Sequence, residues 1–396
     1  MDYAVSHFSA EPSIPAESQA PIALNASALL SPMAGIARYV HELSMGLEAL
    51  GVPLVYFTRG RWSSELPSVS SASSASLPRT WLASLPGARW IDRQRLNRMF
   101  LSGSAPLAPS LYHEPGFLTF DFDGPVVVTA HDASWVRFPQ AHPGARVKLM
   151  DRLFPKSLDH AQLVIVDSDF VAREMTEIFG VSKARLRTVH LGVGTQFRPM
   201  QQAETGPLCE RHGLRHGQFL LAVGTLEPRK NLATLIDAYS LLPQAVADRF
   251  PLVIAGKTGW RHREMDQRMA GLQRSGKLRT LGHVPESDLP ALYAASALFI
   301  YPSIYEGFGL PPLEAMASGV PVIVADRASL PEVVGDAGLL IEPHDASALA
   351  RHLMGLLDDV PRRARMGQAG VERAGRFSWR ECARKTLGVY QELLPA

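Results

Sequence analysis

The chain has 396 residues, of which 46% are hydrophobic and 20% charged, with a formal net charge of +2. That length and apolar content suit two domains with full cores, and the near-neutral balance gives no bulk affinity for nucleic acid, so any basic surface must be local. Cys209 and Cys382 are the only cysteines and lie far apart in sequence, which gives no disulfide framework and fits a reducing, cytoplasmic compartment; no apolar run approaches the ~20 residues of a membrane span.

The leader, Met1 to Ala20, carries Asp2, Glu11, Glu17 and two prolines without an apolar core, and reads as a flexible arm, not a signal peptide. Ile22 to Asn25 is a short strand. A loop with Pro32 and Gly35 leads from it into a helix with Ile36, Tyr39, Val40, Leu43 and Leu47 at helical spacing. A strand passing through a glycine turn into a helix suits a phosphate, although Gly35 alone is equally a plain loop glycine. From Arg61 to Ala88 the rhythm breaks, and the run SSELPSVSSASSASLP reads as a mobile loop. The next segment, residues 79–100, sets Arg79, Arg89, Arg93, Arg95 and Arg98 against Asp92 and interleaves Trp81, Leu82, Trp90, Leu96 and Phe100. Two readings stand for it: a segment lying on an anionic membrane surface, or a solvated helix packed by its apolar side.

Leu111 to His113 and Val126 to Thr129 are buried strands, each leading into a loop with a histidine, and such loops are where open α/β sheets keep their sites. His131, followed by Asp132, is therefore a candidate, beside the plainer reading of a satisfied structural histidine. A helix over 146–158, the strand Leu163 to Val166, a helix capped by Ser168 and the strand Leu186 to His190 complete this half.

Gly194 to Gly217, with Pro199 and Pro207, is the expected linker. The strand Phe219 to Val223 then runs into GTLEPRKNLATLIDAY, where Asn231 is expected to cap a helix with Leu232, Leu235, Ile236 and Tyr239 on one face. Arg229 and Lys230 would sit at its amino end, where cations oppose the helix dipole. A bound diphosphate would resolve that conflict; two solvated side chains are the alternative. The strand Leu252 to Ala255 turns at Gly256, and LRTLGHVPESDLPALYAAS gives a strand, a loop over Gly282, His283, Val284 and Pro285, and a helix capped by Ser287.

Leu298 to Tyr301 is a buried strand that leads into SIYEGFGLPPLEAMASGVPVIVAD. Gly307 and Gly309 turn the chain and bare its N–H groups; Pro311 and Pro312 suit a first helical turn; the helix runs through Glu314 and Met316 to Gly319 before a buried strand, Val322 to Ala325. Glu306 and Glu314 flank the turn with seven residues between them. Amides hold a phosphate and carboxylates hold hydroxyls, and phosphate together with a polyhydroxy group describes a nucleotide sugar. Taken singly, Glu314 would only complement the helix dipole and Glu306 would be a solvated loop residue. The chain ends in a helix from Ser378 to Leu394 with Trp379, Leu387, Tyr390 and Leu393 apolar.

Strands and helices alternate in both halves, which predicts an α/β fold of two parallel sheets covered by helices on both faces. The stretch Tyr301 to Asp326 resembles the signature of the retaining glycosyltransferases of family 4, two glutamates seven residues apart around a glycine-rich turn. The resemblance runs from about Pro21 to the end: SPMAGIARYVHEL is similar to the family's first glycine loop, TAHDASWVRFP to its histidine loop and GTLEPRKNL to its diphosphate clamp. It implies the GT-B architecture, with Rossmann-like domains over residues 21–198 and 199–376 facing a cleft and a terminal helix, 377–396, crossing back to the first domain. It also implies roles. Glu306 touches a sugar hydroxyl and Glu314 grips the ribose; Gly307 and the amides of Phe308, Gly309 and Leu310 face sugar and phosphates, as does Gly35. His131 lies against the sugar, Arg229 and Lys230 clamp the diphosphate, and Gly282, His283 and Val284 lie beside the base. Many relatives carry arginine after the glycine where this chain has Thr225 after Gly224, which leaves that charge to Arg229 and Lys230.

No His, Asp and Glu cluster has metal-ligand spacing, so the leaving group's charge is expected to meet Arg229, Lys230 and helix ends in a metal-independent, retaining transfer without a cofactor. By resemblance the departing phosphate itself takes the acceptor's proton. TLEPRKNL, YHEPGFLTF and the histidine loop are most similar to bacterial enzymes that move mannose or rhamnose from GDP-sugars onto lipid-linked or surface polysaccharide chains, which makes GDP-mannose the expected donor and places the work at the inner face of the membrane. An epimerase on the same fold, a UDP-sugar-dependent transferase and a nucleotide-sugar binding protein remain as alternatives.

Overall fold

The computed structural model describes residues 20–30, 35–67, 88–257 and 263–395. The leader up to Gln19, Pro32, and the run 68–87 with Arg79, Trp81 and Leu82 lie outside these residues, as do the side chains of Arg89 and Trp90.

Each half is built on one sheet. In the first, β1 (Ile22–Asn25), β2 (Leu54–Thr58), β3 (Arg61–Ser63), β4 (Leu111–Glu114), β5 (Val126–Ala130), β6 (Leu163–Val166) and β7 (Leu186–Thr188) lie in the order β3-β2-β1-β4-β5-β6-β7. The edge strand β3 is antiparallel and the rest are parallel. In the second, β8 (Leu220–Val223), β9 (Leu252–Ala255), β10 (Leu278–Gly282), β11 (Leu298–Tyr301), β12 (Val322–Ala325) and β13 (Leu339–Ile341) are all parallel, in the order β10-β9-β8-β11-β12-β13. The central strands carry near-continuous apolar runs because helices cover both faces: every residue of β5, β6, β9, β11 and β12 is buried. Strand order reverses between β1 and β4 and between β8 and β11, and the loops after those strands open the crevices where such sheets take ligands.

Two expectations are corrected, on the linker and on the cap at Ser287, and the two readings of the arginine-rich segment are decided. The linker region holds a helix, Gln202–His212, which accommodates Pro207 in its interior; Gln201 and Glu204 close a capping box at its start, and Gly213 ends it in the left-handed conformation. The helix Leu289–Ala294 is preceded by Asp288, and Ser287 is not its cap. In the helix Ala88–Ser104, Phe100 is fully buried among Phe57, Trp62, Tyr112 and Phe120, and Leu96 packs against the same cluster. Arg93 donates to the Thr119 carbonyl and stacks over Phe120, and Asn97 donates to Asp121 at 2.6 Å. Leu96 and Phe100 stand four apart, which puts them on one helix face turned to the core. The described part of this segment is therefore a helix packed by its apolar side, with Ile91, Arg95 and Arg98 exposed, and Phe100 and Arg93 are not available to a membrane.

The terminal helix, Trp379–Gln391, begins at Ser378, whose hydroxyl accepts from the Glu381 N–H, and packs back on the first-domain helix Gly35–Ala49. Its Tyr390 hydroxyl lies 2.7 Å from His113 Nδ1; His113 Nε2 lies 2.7 Å from Thr129 Oγ1, which in turn meets the Tyr39 hydroxyl at 3.0 Å. Burial holds the His113 imidazole down to about 3, so it is neutral. His113, within β4, thus ties the terminal helix to the first core and does not line the cleft. Close approach of the two helices needs Gly46, where a Cβ would stand 2.6 Å from Ala383 Cβ. Gly46→Ala is expected to overpack this contact and cost about 1–3 kcal/mol, read as a lowered melting temperature.

Candidate functional site

The loops after β1, β4, β5, β8, β9, β10 and β11 enclose a cleft of about 460 Å³ between the domains. Gly35, His131, Arg229, Lys230, His283, Val284, Glu306 to Leu310 and Glu314 all line it. Of the expected residues only Gly282 stays out of the lining: it turns the chain at φ 66° and accepts from the Gly256 N–H at 2.7 Å. Around Gly35 there is open space for a Cβ, so packing does not demand a glycine there.

The centre of the cleft is Glu306. Its Oε1 accepts from Lys230 Nζ at 2.5 Å, Ser303 Oγ at 2.6 Å and Tyr301 OH at 2.9 Å, and its Oε2 from Arg229 Nη1 at 3.1 Å. Burial by itself would raise this carboxyl; Lys230 and Arg229 outweigh it and bring Glu306 down to about 2. Burial also lowers Lys230, whose ammonium is held against that loss by Glu306. Arg229 Nε pairs with Glu227 at 2.7 Å.

The cations reach this position differently from the expectation. Asn231 does not cap the helix Leu232–Ser240: it adopts φ 52°, its amide donates to the Pro302 and Pro343 carbonyls, and its Oδ1 accepts from Thr234 at 2.9 Å. It pins the loop to the ends of β11 and β13. Arg229 and Lys230 belong to a separate short turn, Pro228–Lys230, and point at Glu306, so a carboxylate of the chain itself answers their charge.

The glycine turn is shaped by the opposite domain. A Cβ on Gly307 would stand 1.8 Å from the His131 carbonyl oxygen, and the Gly307 carbonyl accepts from Ser168 Oγ at 2.7 Å. Gly309, at φ 121°, precedes the helix Leu310–Ala317. Ser329 Oγ donates to the Glu306 carbonyl at 2.9 Å and to that of Phe308 at 2.5 Å, which turns the carbonyls inward. Among the described residues the N–H groups of Phe308, Gly309 and Leu310 meet no acceptor, and Pro311 and Pro312 have none to offer. These three amides are the turn's donors.

His131 is in the cleft wall with its ring already committed. Nδ1 meets Asp167 Oδ2 at 2.8 Å and Nε2 meets the Pro115 carbonyl at 2.9 Å, with Tyr39 and Phe117 edge-on. The Pro115 carbonyl can only accept, so Nε2 donates to it, and Nδ1 shares its hydrogen bond with Asp167. Burial lowers His131, yet Asp167 and the Pro115 carbonyl turn the net shift upward, while burial raises Asp167. Both ring nitrogens are therefore engaged, and the group His131 presents to the glycine turn is its backbone carbonyl.

Sequence reasoning missed the residues that act between domains. Arg38, one turn into the helix Gly35–Ala49, donates across the cleft to both Glu314 and Glu286. Tyr305, beside Glu306, accepts from the Ala133 N–H at 2.7 Å and donates to Glu174. Neither has a spacing signal, because the partner lies more than 100 residues away. The two Asp-x-Asp triplets, 121–123 and 167–169, are tied into the first domain: Asp121 accepts from Asn97, Asp167 pairs with His131 and Asp169 accepts from Thr188 at 2.7 Å.

Residues 33–197 match the family model Glycosyltransferase Family 4, and residues 211–373 match Glycosyl transferases group 1. The chain is 40% identical over 283 residues to O-antigen chain mannosyltransferase B of Escherichia coli, covering 72% of this chain and 74% of that protein. It is 32% identical over 257 residues to the serotype-specific mannosyltransferase WbdA of Escherichia coli, covering 64% of this chain and 31% of WbdA. Among solved structures it is similar to sucrose-phosphate synthase from Thermosynechococcus elongatus, with TM-score 0.75 and 24% identity over 95% of this chain and 99% of that one. It is also similar to WaaG, a glycosyltransferase involved in lipopolysaccharide biosynthesis, with TM-score 0.70 and 17% identity over 93% and 99%.

A carboxyl held at about 2, below its ordinary 4.5, stabilises the fold fully above pH 4.5, and that contribution is lost as pH falls toward 2. Glu306→Gln leaves Lys230 without its carboxylate and Arg229 with Glu227 alone, and is expected to cost about 3–5 kcal/mol at neutral pH. The stability gap between wild type and variant, measured by urea unfolding, should narrow as the pH is lowered through that window.

Proposed function

The chain belongs to glycosyltransferase family 4 and is a hexosyltransferase of the GT-B fold, and on that premise we propose that it moves mannose from GDP-mannose, with retention and without a metal, onto a lipid-linked or surface-polysaccharide acceptor. One observation carries the reading: a single cleft brings the two glutamates, two cations and three free amides together. The diphosphate lies on the amides of Phe308, Gly309 and Leu310, with Lys230 and Arg229 beside it. Glu306 takes a sugar hydroxyl and Glu314 the ribose diol. The bond from the sugar's anomeric carbon to the phosphate oxygen breaks as the acceptor oxygen bonds to the same face. The acceptor's proton passes to the leaving phosphate, whose charge Lys230 and Arg229 stabilise. The mannosyltransferase relatives support the sugar and the polysaccharide acceptor. Among the described residues no helix is long and apolar enough to cross a membrane.

Donor identity is tested by a thermal-shift panel of nucleoside diphosphates, since a ligand that binds only the folded state raises its stability with affinity. GDP should shift the transition more than UDP, and release of GDP from GDP-mannose should require added acceptor, which an epimerase would not. Glu314→Ala should raise the donor KM on the order of tenfold to a hundredfold, the loss of a charge-assisted hydrogen bond of about 1.5–3 kcal/mol, with kcat nearly unchanged. Turnover should persist in EDTA; loss on chelation, restored by Mg²⁺ or Mn²⁺, contradicts the metal-free mechanism.

A further inference from the structure

Arg38 is the cation that the first domain sends to the nucleotide end of the cleft. Its guanidinium forks: Nη1 donates to Glu314 and Nη2 to Glu286, both in the second domain. The side chains of Arg38 and Glu314 are 15% and 5% exposed, whereas Glu286, at 43%, sits on the rim. The inner pair is shielded from water and the outer one is not, so the Arg38–Glu314 contact is the strong member of the fork. The groups that face Glu314 are Arg38 from the helix Gly35–Ala49, Glu286 from the loop after β10 and Tyr293 from the helix Leu289–Ala294, and Arg38 is the cation among them.

We propose that Arg38 is a donor-positioning residue that acts through Glu314: from the opposite domain it fixes the charge and direction of the carboxylate that receives the donor's nucleoside. This role rests on the reading above that Glu314 holds the ribose. A ribose diol offers two hydroxyl donors and needs a carboxylate with two acceptor oxygens. Arg38 occupies one lone pair of Oε1 and leaves the rest of the carboxylate for the diol. A buried carboxyl without a cation takes up a proton instead. Burial pushes Glu314 upward, and Arg38 is the largest influence opposing it. Because Arg38 and Glu314 stand on different domains, the cation reaches and aims the carboxylate only where the two domains meet across the cleft. Donor affinity and domain closure are thereby coupled through one ion pair.

The test is GDP binding by calorimetry, with UDP as a second probe, for wild type, Arg38→Gln, Arg38→Lys, Glu314→Gln and the double variant Arg38→Gln/Glu314→Gln, from about pH 6 to about pH 9. The titration of GDP itself cancels in the ratio of variant to wild type. Arg38→Gln should weaken GDP about tenfold near neutral pH, and the deficit should shrink as pH rises and Glu314 regains its charge. Arg38→Lys keeps the charge without the fork and should lose less, with little dependence on pH. In the Glu314→Gln background, Arg38→Gln should cost nothing further. A deficit in Arg38→Gln that is equal at every pH, or one that adds in full to that of Glu314→Gln, overturns the role. Arg38→Gln binding GDP as well as wild type also overturns it, and leaves the donor reading intact. Failure of the wild type to bind either nucleotide brings down the donor reading and this role together.

Discussion

The carboxylate of Glu306 stays ionised in a buried site because Lys230, Ser303 and Tyr301 donate to one of its oxygens and Arg229 to the other. Each member depends on the rest. Without the cations burial would raise the carboxyl, and without the carboxylate it would lower Lys230 further, because burial works against both charges. Asn231, in the left-handed conformation, holds the short turn that carries the cations, and β11 delivers the loop that carries the carboxylate. The second sheet is in effect the frame for one ion triad.

The first domain completes that frame by contact with backbone. The His131 carbonyl leaves no room for a side chain at 307, Ser168 holds the Gly307 carbonyl, and Tyr305 reaches over to the Ala133 N–H and to Glu174. These contacts fall on Tyr305 and Gly307, the two neighbours of Glu306. A shift of one domain against the other therefore moves the Glu306 carboxylate directly, and His131 contributes by standing still: its ring is locked between Asp167 and Pro115 so that its carbonyl is placed.

What was legible in the sequence follows from how local each signal is. β1, β6, β9, β11 and β12 could be read to the residue, because a strand buried on both faces is an unbroken apolar run between turn residues. The glutamate pair and the Arg229–Lys230 pair were legible because their spacing is short. Pro207 was misread as linker because a single proline is a weak stop signal against a capping box and a glycine terminator. Asn231 was misread because its residue type suits both a cap and a left-handed turn, and only the two distant carbonyls it reaches decide between them. Phe100 was left between two readings because an aromatic among arginines looks alike whether it faces lipid or a core, and the buried cluster around it decides for the core. Arg38 and Tyr305 left no trace, since their partners lie on the other domain.

The charge pattern of the cleft then limits how a diphosphate can be held. Arg38 is engaged by Glu314 and Glu286, Arg229 by Glu227 and Glu306, and Lys230 by Glu306, so each of these cations is already answered by a carboxylate of the chain. A diphosphate entering this site shares them and does not find them free. Its unshared partners are neutral: the amides of Phe308, Gly309 and Leu310 at the start of a helix. In the transfer proposed above, Lys230 and Arg229 would strengthen their hold as negative charge builds on the leaving phosphate, while Glu306 keeps its place. Sharing the cations between a fixed carboxylate and a phosphate whose charge grows would then be differential binding of the transition state, built on an ion triad of the chain itself.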